Sequence, residues 1–248
     1  MAVPILMYHS VSDAGPGPVS LPSSAFRDQV AVLADTGARG ITVSQYVAAR
    51  KAGGELPRGT VVLTFDDGYR DFADRVFPVL QKHGWGATVF VPIAPVDEGR
   101  PWDCGDGHRR ELLSWHEIGE LASNGVEFGA HSINHTDLTR LPAEDAREEI
   151  AMSGERLYEQ TGRRVEGFAP PFGRADEALR HEMARHYSWS VGTRLDRAWG
   201  RSDLFDLPRI EMWYFRSRRR WRQYVLQGWT GYFAVHQAMR AFENWRES

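Results

Sequence analysis

Val61-Val62-Leu63-Thr64-Phe65-Asp66-Asp67-Gly68 reads as a buried strand that ends in two carboxylates and a turn. The run is apolar without the alternation of a half-exposed strand, so both of its faces are covered, as in a parallel sheet under helices. Gly68 allows the chain to turn sharply after it. Further apolar runs lie on either side, at Ile5–Tyr8, 41–43, 87–91, 126–130, 165–168, 188–191 and Leu207–Glu211. Helical patterns separate them. Ser24 opens one in which Phe26, Val30 and Leu33 share a face before Gly37, and another ends at Gly53-Gly54. A third runs to about His83, interrupted by Pro78; Ser114 and Glu117 form a capping box for a fourth, and a fifth spans 143–160. Strand–helix repetition along the whole chain implies a mostly parallel sheet, either closed as a barrel or open and doubly wound.

Composition narrows the function classes. The chain has 248 residues, 33 acidic and 30 basic, with a net charge of -3. Such a balance does not favour a nucleic-acid partner. Nine tryptophans are many for one domain, and core packing accounts for most, with sugar stacking as the functional alternative. The single cysteine, Cys104, cannot form an intrachain disulfide. The N-terminus lacks the basic and apolar regions of a signal peptide, and no apolar run reaches membrane-span length. The expectation is a single domain over 1–248, cytoplasmic if the chain is full length.

In either sheet type, functional residues gather at the C-terminal ends of strands. His9, Asp66, Asp67, His131 and Pro171-Phe172 all fall there. Adjacent carboxylates at a strand end point to different sides, so one can hold a metal while the other stays free as a base. Alone, Asp-Asp-Gly is ordinary turn chemistry. His131 and His135 are four apart and can converge on one ion. Two histidines and a carboxylate leave coordination positions open, which suits a catalytic site. They also suit non-haem iron, so an oxygenase remains a competing reading.

Thr64-Phe65-Asp66-Asp67-Gly68, His131-Ser-Ile-Asn-His135 and Pro170-Pro171-Phe172-Gly173, in that order, resemble the NodB-type polysaccharide deacetylases, carbohydrate esterase family 4. The resemblance implies an α/β fold, a distorted (β/α) barrel with fewer than eight regular strands. It implies Asp67, His131 and His135 as ligands of a divalent metal, zinc foremost, with cobalt, nickel, iron or manganese as alternatives. It implies Asp66 as catalytic base and the backbone amide of Phe172 as an oxyanion donor.

Two positions depart from the family pattern. Ala169 stands where the family has an arginine that tunes the base. The family's late Leu-x-x-His, which supplies the general acid, is absent from the C-terminal region, where His236 is the sole late histidine. Leu6-Met7-Tyr8-His9 has the pattern at the N-terminus instead. This arrangement, with Leu207-Pro208-Arg209-Ile210, is similar to a permuted subgroup acting on poly-N-acetylglucosamine and related exopolysaccharides. It makes His9 the acid and Arg209 a candidate for the missing arginine, with a plain structural ion pair as the alternative.

The expected activity is removal of an N-acetyl or other acyl group from an amino sugar in a glycan or its precursor. A lipid-linked or nucleotide-linked sugar, a small amide, and a catalytically silent sugar-binding relative are the alternatives. The segment from about 213 to 248 mixes aromatics, Trp229 among them, with five arginines in positions 216–222. The plain reading is a solvated basic helix with its aromatics on the barrel. The functional one is a peripheral contact with an anionic membrane surface through Arg218, Arg219, Arg220 and Trp221.

Overall fold

Strand and helix alternate throughout the computed structural model, which describes residues 2–13, 19–103, 107–227, 231 and 233–239. Cys104 and Trp229 lie outside the described residues. The N-terminal third contains β1 (Ile5–Tyr8), β2 (Ser10–Val11), β3 (Ser20–Leu21), α1 (Ser23–Asp35), β4 (Arg39–Ile41), α2 (Val43–Lys51) and β5 (Thr60–Phe65). The middle contains α3 (Phe77–His83), β6 (Thr88–Val91), α4 (Ile93–Glu98), α5 (Trp115–Ser123), β7 (Glu127–Ala130) and α6 (Ala143–Thr161). The rest contains β8 (Gly167–Phe168), α7 (Glu177–His186), β9 (Trp189–Leu195), β10 (Leu207–Glu211) and α8 (Arg218–Gln227).

The sheet runs β1-β10-β9-β8-β7-β6-β5 and closes on itself through β1 and β5. This is the distorted barrel expected from the family resemblance, with seven parallel strands in the ring. Ile5 pairs with Val62 and Tyr8 with Phe65 at the closure. β4 lies outside the ring, against the N-terminal half of β5.

Alternation along each strand divides the core in two. Ile5, Val62, Phe90, Ala169, Trp189, Val191 and Leu207 form the cluster inside the barrel. Leu6, Tyr8, Leu63, Phe65, Val89, Val91 and Ile210 face outward and pack beneath the helices. β5 is therefore covered on both faces, as its unbroken apolar run predicts; all six of its residues are buried. Two glycines make room for the large rings inside. A Cβ on Gly129 would stand 2.6 Å from the Phe90 ring, and one on Gly167 would stand 2.1 Å from the Trp189 ring. The N-terminus of α2 closes the lower end of the barrel. Val43 N–H donates to Thr88 Oγ1, and Trp189 Nε1 donates to Ser44 Oγ.

Several boundaries differ from those the sequence suggests. Thr42 caps α2, in a capping box with Gln45. The expected strand at 41–43 is accordingly shifted to Arg39–Ile41. Pro78 does not interrupt the helix to His83. It sits in the first turn of α3, where no N–H is required. α4, α7 and the short β2–β3 pair are not among the elements the sequence marks; α7 has only two buried side chains, Leu179 and Met183, and shows little periodicity.

The basic C-terminal segment resolves into two faces. Arg219, Arg220 and Arg222 are exposed, while Trp221 is 1% exposed and donates its Nε1 hydrogen to Gln29 O. Trp221 is thus a core residue and cannot serve as a membrane contact, because its ring packs between Phe215 and Tyr224. Arg218 pairs with Asp28 at 2.6 Å. Among the described residues no helix is long and apolar enough to cross a membrane.

Filling the barrel with Trp189 demands a bare backbone at position 167. Gly167→Ala should lower unfolding free energy by about 1–3 kcal/mol through overpacking. Urea denaturation measures this, and an unchanged midpoint would contradict the packing of Trp189 on Gly167.

Candidate active site and metal centre

The site is built where β1, β5, β7 and β10 end at one mouth of the barrel. Inward alternation on β5 runs Val62, Thr64, Asp66, so Asp66 continues the interior column. Asp67 comes next after the outward residue Phe65 and the inward Asp66. A left-handed backbone at Asp67 (φ 71°) and Gly68 (φ 64°) turns the chain directly after the strand. Asp67 thereby faces His131 and His135, with its Oδ1 3.4 Å and 3.2 Å from their Nε2 atoms. The turn is clamped from the side by Leu113 N–H to Gly68 O and by Arg70 N–H to Glu111 O.

His131 extends β7, its N–H donating to Val91 O. Its Nδ1 donates to Ala169 O at 2.6 Å, which fixes the tautomer and leaves Nε2 directed at Asp67. His135 is reached by a tight loop with positive φ at Ser132 (64°) and at His135 itself (54°). Ser132 Oγ accepts the His135 N–H, and the Glu149 carboxylate of α6 accepts the N–H groups of Ile133 and Asn134. The four described non-glycine residues with positive φ are Asp67, Ser132, His135 and Phe172, all at this mouth. Such backbone is costly and is retained where surrounding contacts impose it.

One donor atom from each of Asp67, His131 and His135 lies within 4.8 Å of the other two. With His131 committed to Ala169 through Nδ1, three unshared electron pairs converge on one buried point. This donor set, two imidazole nitrogens and a carboxylate oxygen, fits a divalent cation such as zinc. Burial would raise the Asp67 carboxyl, but His131 and His135 beside it outweigh burial and hold the group well below the ordinary carboxylate range.

Asp66 is held apart from that set. Arg209 crosses the barrel from β10 and grips it with two nitrogens, Nη1 to Oδ1 at 2.6 Å and Nη2 to Oδ2 at 2.8 Å. The guanidinium is itself positioned by Gly192 O and Thr64 Oγ1. Burial would raise the Asp66 carboxyl, but Arg209, with His9 and His131, overcomes it and leaves the pKa lowered. Arg209, the candidate named from the sequence, thus stands beside Asp66.

His9 stands on the other side of Asp66, with Nε2 3.8 Å from Oδ2. His236 does not join this group in any described contact; it stacks on Tyr214 at 4.3 Å. Phe172 has φ 60° in a turn whose next residue, Gly173, lies against Thr193. The Phe172 ring is 52% exposed and, with Trp102, meets the edge of His135 at 5.1 and 4.9 Å. Sequence reasoning does not find Trp102, Glu149 or the Ala169 carbonyl. Glu149 leaves a signal, an acid on the buried face of α6 between Ala146 and Ile150. Trp102 and the carbonyl leave none.

The family model for polysaccharide deacetylase matches residues 53–187. Among curated proteins, the chain is 26% identical over 211 residues to YxkH of Bacillus subtilis, whose name assigns it provisionally to the polysaccharide deacetylases. That match covers 85% of this chain and 71% of YxkH. The chain is 34% identical over 137 residues to the poly-beta-1,6-N-acetyl-D-glucosamine N-deacetylase of Escherichia coli K12, covering 52% of this chain and 20% of that protein. Among solved structures, the Streptococcus pyogenes deacetylase PplD, in complex with acetate, matches with a TM-score of 0.75 and 27% identity. It spans 85% of this chain and 92% of PplD.

Removing Arg209 strands a buried carboxylate. Arg209→Ala should cost about 3–5 kcal/mol at neutral pH. The pair stabilises the fold fully above the unfolded carboxylate pKa of about 3.9, and that contribution is lost as pH falls through the lower folded value. The gap between wild type and variant should therefore narrow below about pH 4. Denaturation curves across that range measure it, and a gap constant with pH would refute the pairing energetics.

Proposed function

The chain belongs to the polysaccharide deacetylase family, and from that we propose that it is a metal-dependent hydrolase removing the N-acetyl group from an amino sugar in a glycan or glycan precursor. The observation that carries this reading is the division of labour at the barrel mouth. Asp67, His131 and His135 converge as one donor set, while Asp66 and His9 stand beside it, engaged with Arg209 and with each other. A divalent ion held by Asp67, His131 and His135 would polarise the acyl carbonyl and acidify a water molecule.

The chain's own residues supply the remaining steps. Asp66, kept ionised by Arg209, takes the proton of the attacking water. The Phe172 N–H donates to the oxygen that becomes negative in the tetrahedral intermediate, an effect worth about 3 kcal/mol for a well-placed donor. His9, protonated, gives its proton to the departing nitrogen, since an amine leaves poorly as an anion. Base and acid must then be in opposite protonation states, which gives a bell-shaped pH–rate profile. Trp102 and Phe172 flank His135 with aromatic surface of the kind that suits the apolar face of a pyranose ring.

A poly-N-acetylglucosamine-type glycan is the preferred substrate class. It is supported by the acid motif lying first in the chain and by the likeness to the E. coli enzyme. The acetate in the PplD structure supports acetyl as the group removed.

Metal content and activity separate these roles. His131→Ala and His135→Ala should abolish both in an otherwise folded protein; unchanged metal by elemental analysis in both variants would refute the ligand set. Asp66→Asn and His9→Ala should keep the metal while deacetylation of N-acetylglucosamine oligomers falls about 10²–10⁴-fold. Full activity of His9→Ala would remove His9 from the mechanism.

A further inference from the structure

The candidate acid lies just beyond the last ladder bond of its strand. Asp66 N–H donates to Tyr8 O at 2.9 Å, and after Tyr8 the chain leaves the barrel. The next element, β2, is a two-residue strand paired, among the described residues, with two-residue β3. Pairing that short holds a backbone poorly. A different contact fixes it. Asp71 accepts from Ser10 Oγ through Oδ2 at 2.5 Å and from Val11 N–H through Oδ1 at 2.9 Å. Ser10 and Val11 are fully buried.

Asp71 is four residues beyond Asp67, at the entry to a π-helical turn over Phe72–Val76. Its side chain therefore ties the segment after His9 directly to the segment after Asp66 and Asp67, across about 60 residues of sequence. Burial pushes the Asp71 carboxyl up, opposed by its hydrogen bonds to Ser10 and Val11 and by Arg75 and Arg110. A neutral side chain would fill the space without that cost. The carboxylate adds two acceptors pointing at consecutive residues.

We propose that Asp71 is a positioning residue for His9, holding the acid at its working distance from Asp66 through Ser10 and Val11. The inference rests on the roles proposed for His9 and Asp66. Displacement of a catalytic group by about 1 Å can cost on the order of 100-fold in rate. A tether of this kind therefore acts on catalysis without touching substrate.

The test uses the metal-loaded full chain as Asp71→Ala and Asp71→Asn, alone and combined with His9→Ala. A crystal structure of Asp71→Ala should show the His9 Nε2–Asp66 Oδ2 separation increased beyond 3.8 Å with the Asp67, His131 and His135 arrangement intact. Deacetylation of an N-acetylglucosamine oligomer should fall at least about tenfold further than hydrolysis of an aryl acetate, whose leaving group needs no proton. The double variant should be no slower than His9→Ala, because both changes remove one function. Asp71→Asn keeps an acceptor for Val11 N–H, should fall between, and serves if the alanine variant does not fold. An unmoved His9, equal losses on both substrates, or losses that multiply in the double variant would each overturn the proposal. If the wild type deacetylates no amino sugar, the functional reading fails, while the position of His9 in the variant still decides the tether.

Discussion

Arg209 lies inside the barrel with its guanidinium against both oxygens of Asp66 and 5.7 Å over the Phe90 ring. A charge in that position is tolerable only because it is paired and its donors are satisfied, by Gly192 O and Thr64 Oγ1 as well as by Asp66. The consequences reach outward. With Asp66 committed to Arg209, the carboxylate that faces His131 and His135 is that of the next residue, and the left-handed backbone at Asp67 turns it there. Asp67 in turn sets where His131 and His135 must arrive. The Ala169 carbonyl and the Glu149 carboxylate hold them there.

The cation beside Asp66 comes from β10, while position 169, just past β8, is an alanine. Ala169 is fully buried in the barrel interior. The cation enters instead from β10, which is separated from β8 by β9 in the ring order. Gly192 of β9 accepts from Nε, so that strand contributes to aiming it. The Ala169 backbone carbonyl accepts from His131 Nδ1.

Much of this is legible in the sequence because strand burial leaves a pattern. The continuous apolar run before Asp66 marks a covered parallel strand, and β1 and β10 fall where the sequence places them. Closure of the ring is not legible from pattern alone, since the β1–β5 pairing joins strands nearly 60 residues apart. The chemical residues are legible because their types and order are unusual together. Their supports are not. Asp71 and Trp102 act through contacts across the fold, and neither stands in a periodic or motif context. For Trp221 the plain reading of the sequence, a basic helix with its aromatics on the barrel, agrees with the structure: the helix presents its arginines outward and turns the ring inward.

The central claim is that Asp66 and Asp67, though adjacent, are separated into base and ligand by Arg209. A crystal structure of the metal-loaded protein, with the ion located by anomalous scattering, tests this most directly. The account predicts one anomalous peak bonded to Asp67, His131 and His135, with both Arg209–Asp66 contacts kept near 2.6 and 2.8 Å. A peak bonded to Asp66, or an Asp66 carboxylate swung away from Arg209 onto the ion, would contradict it.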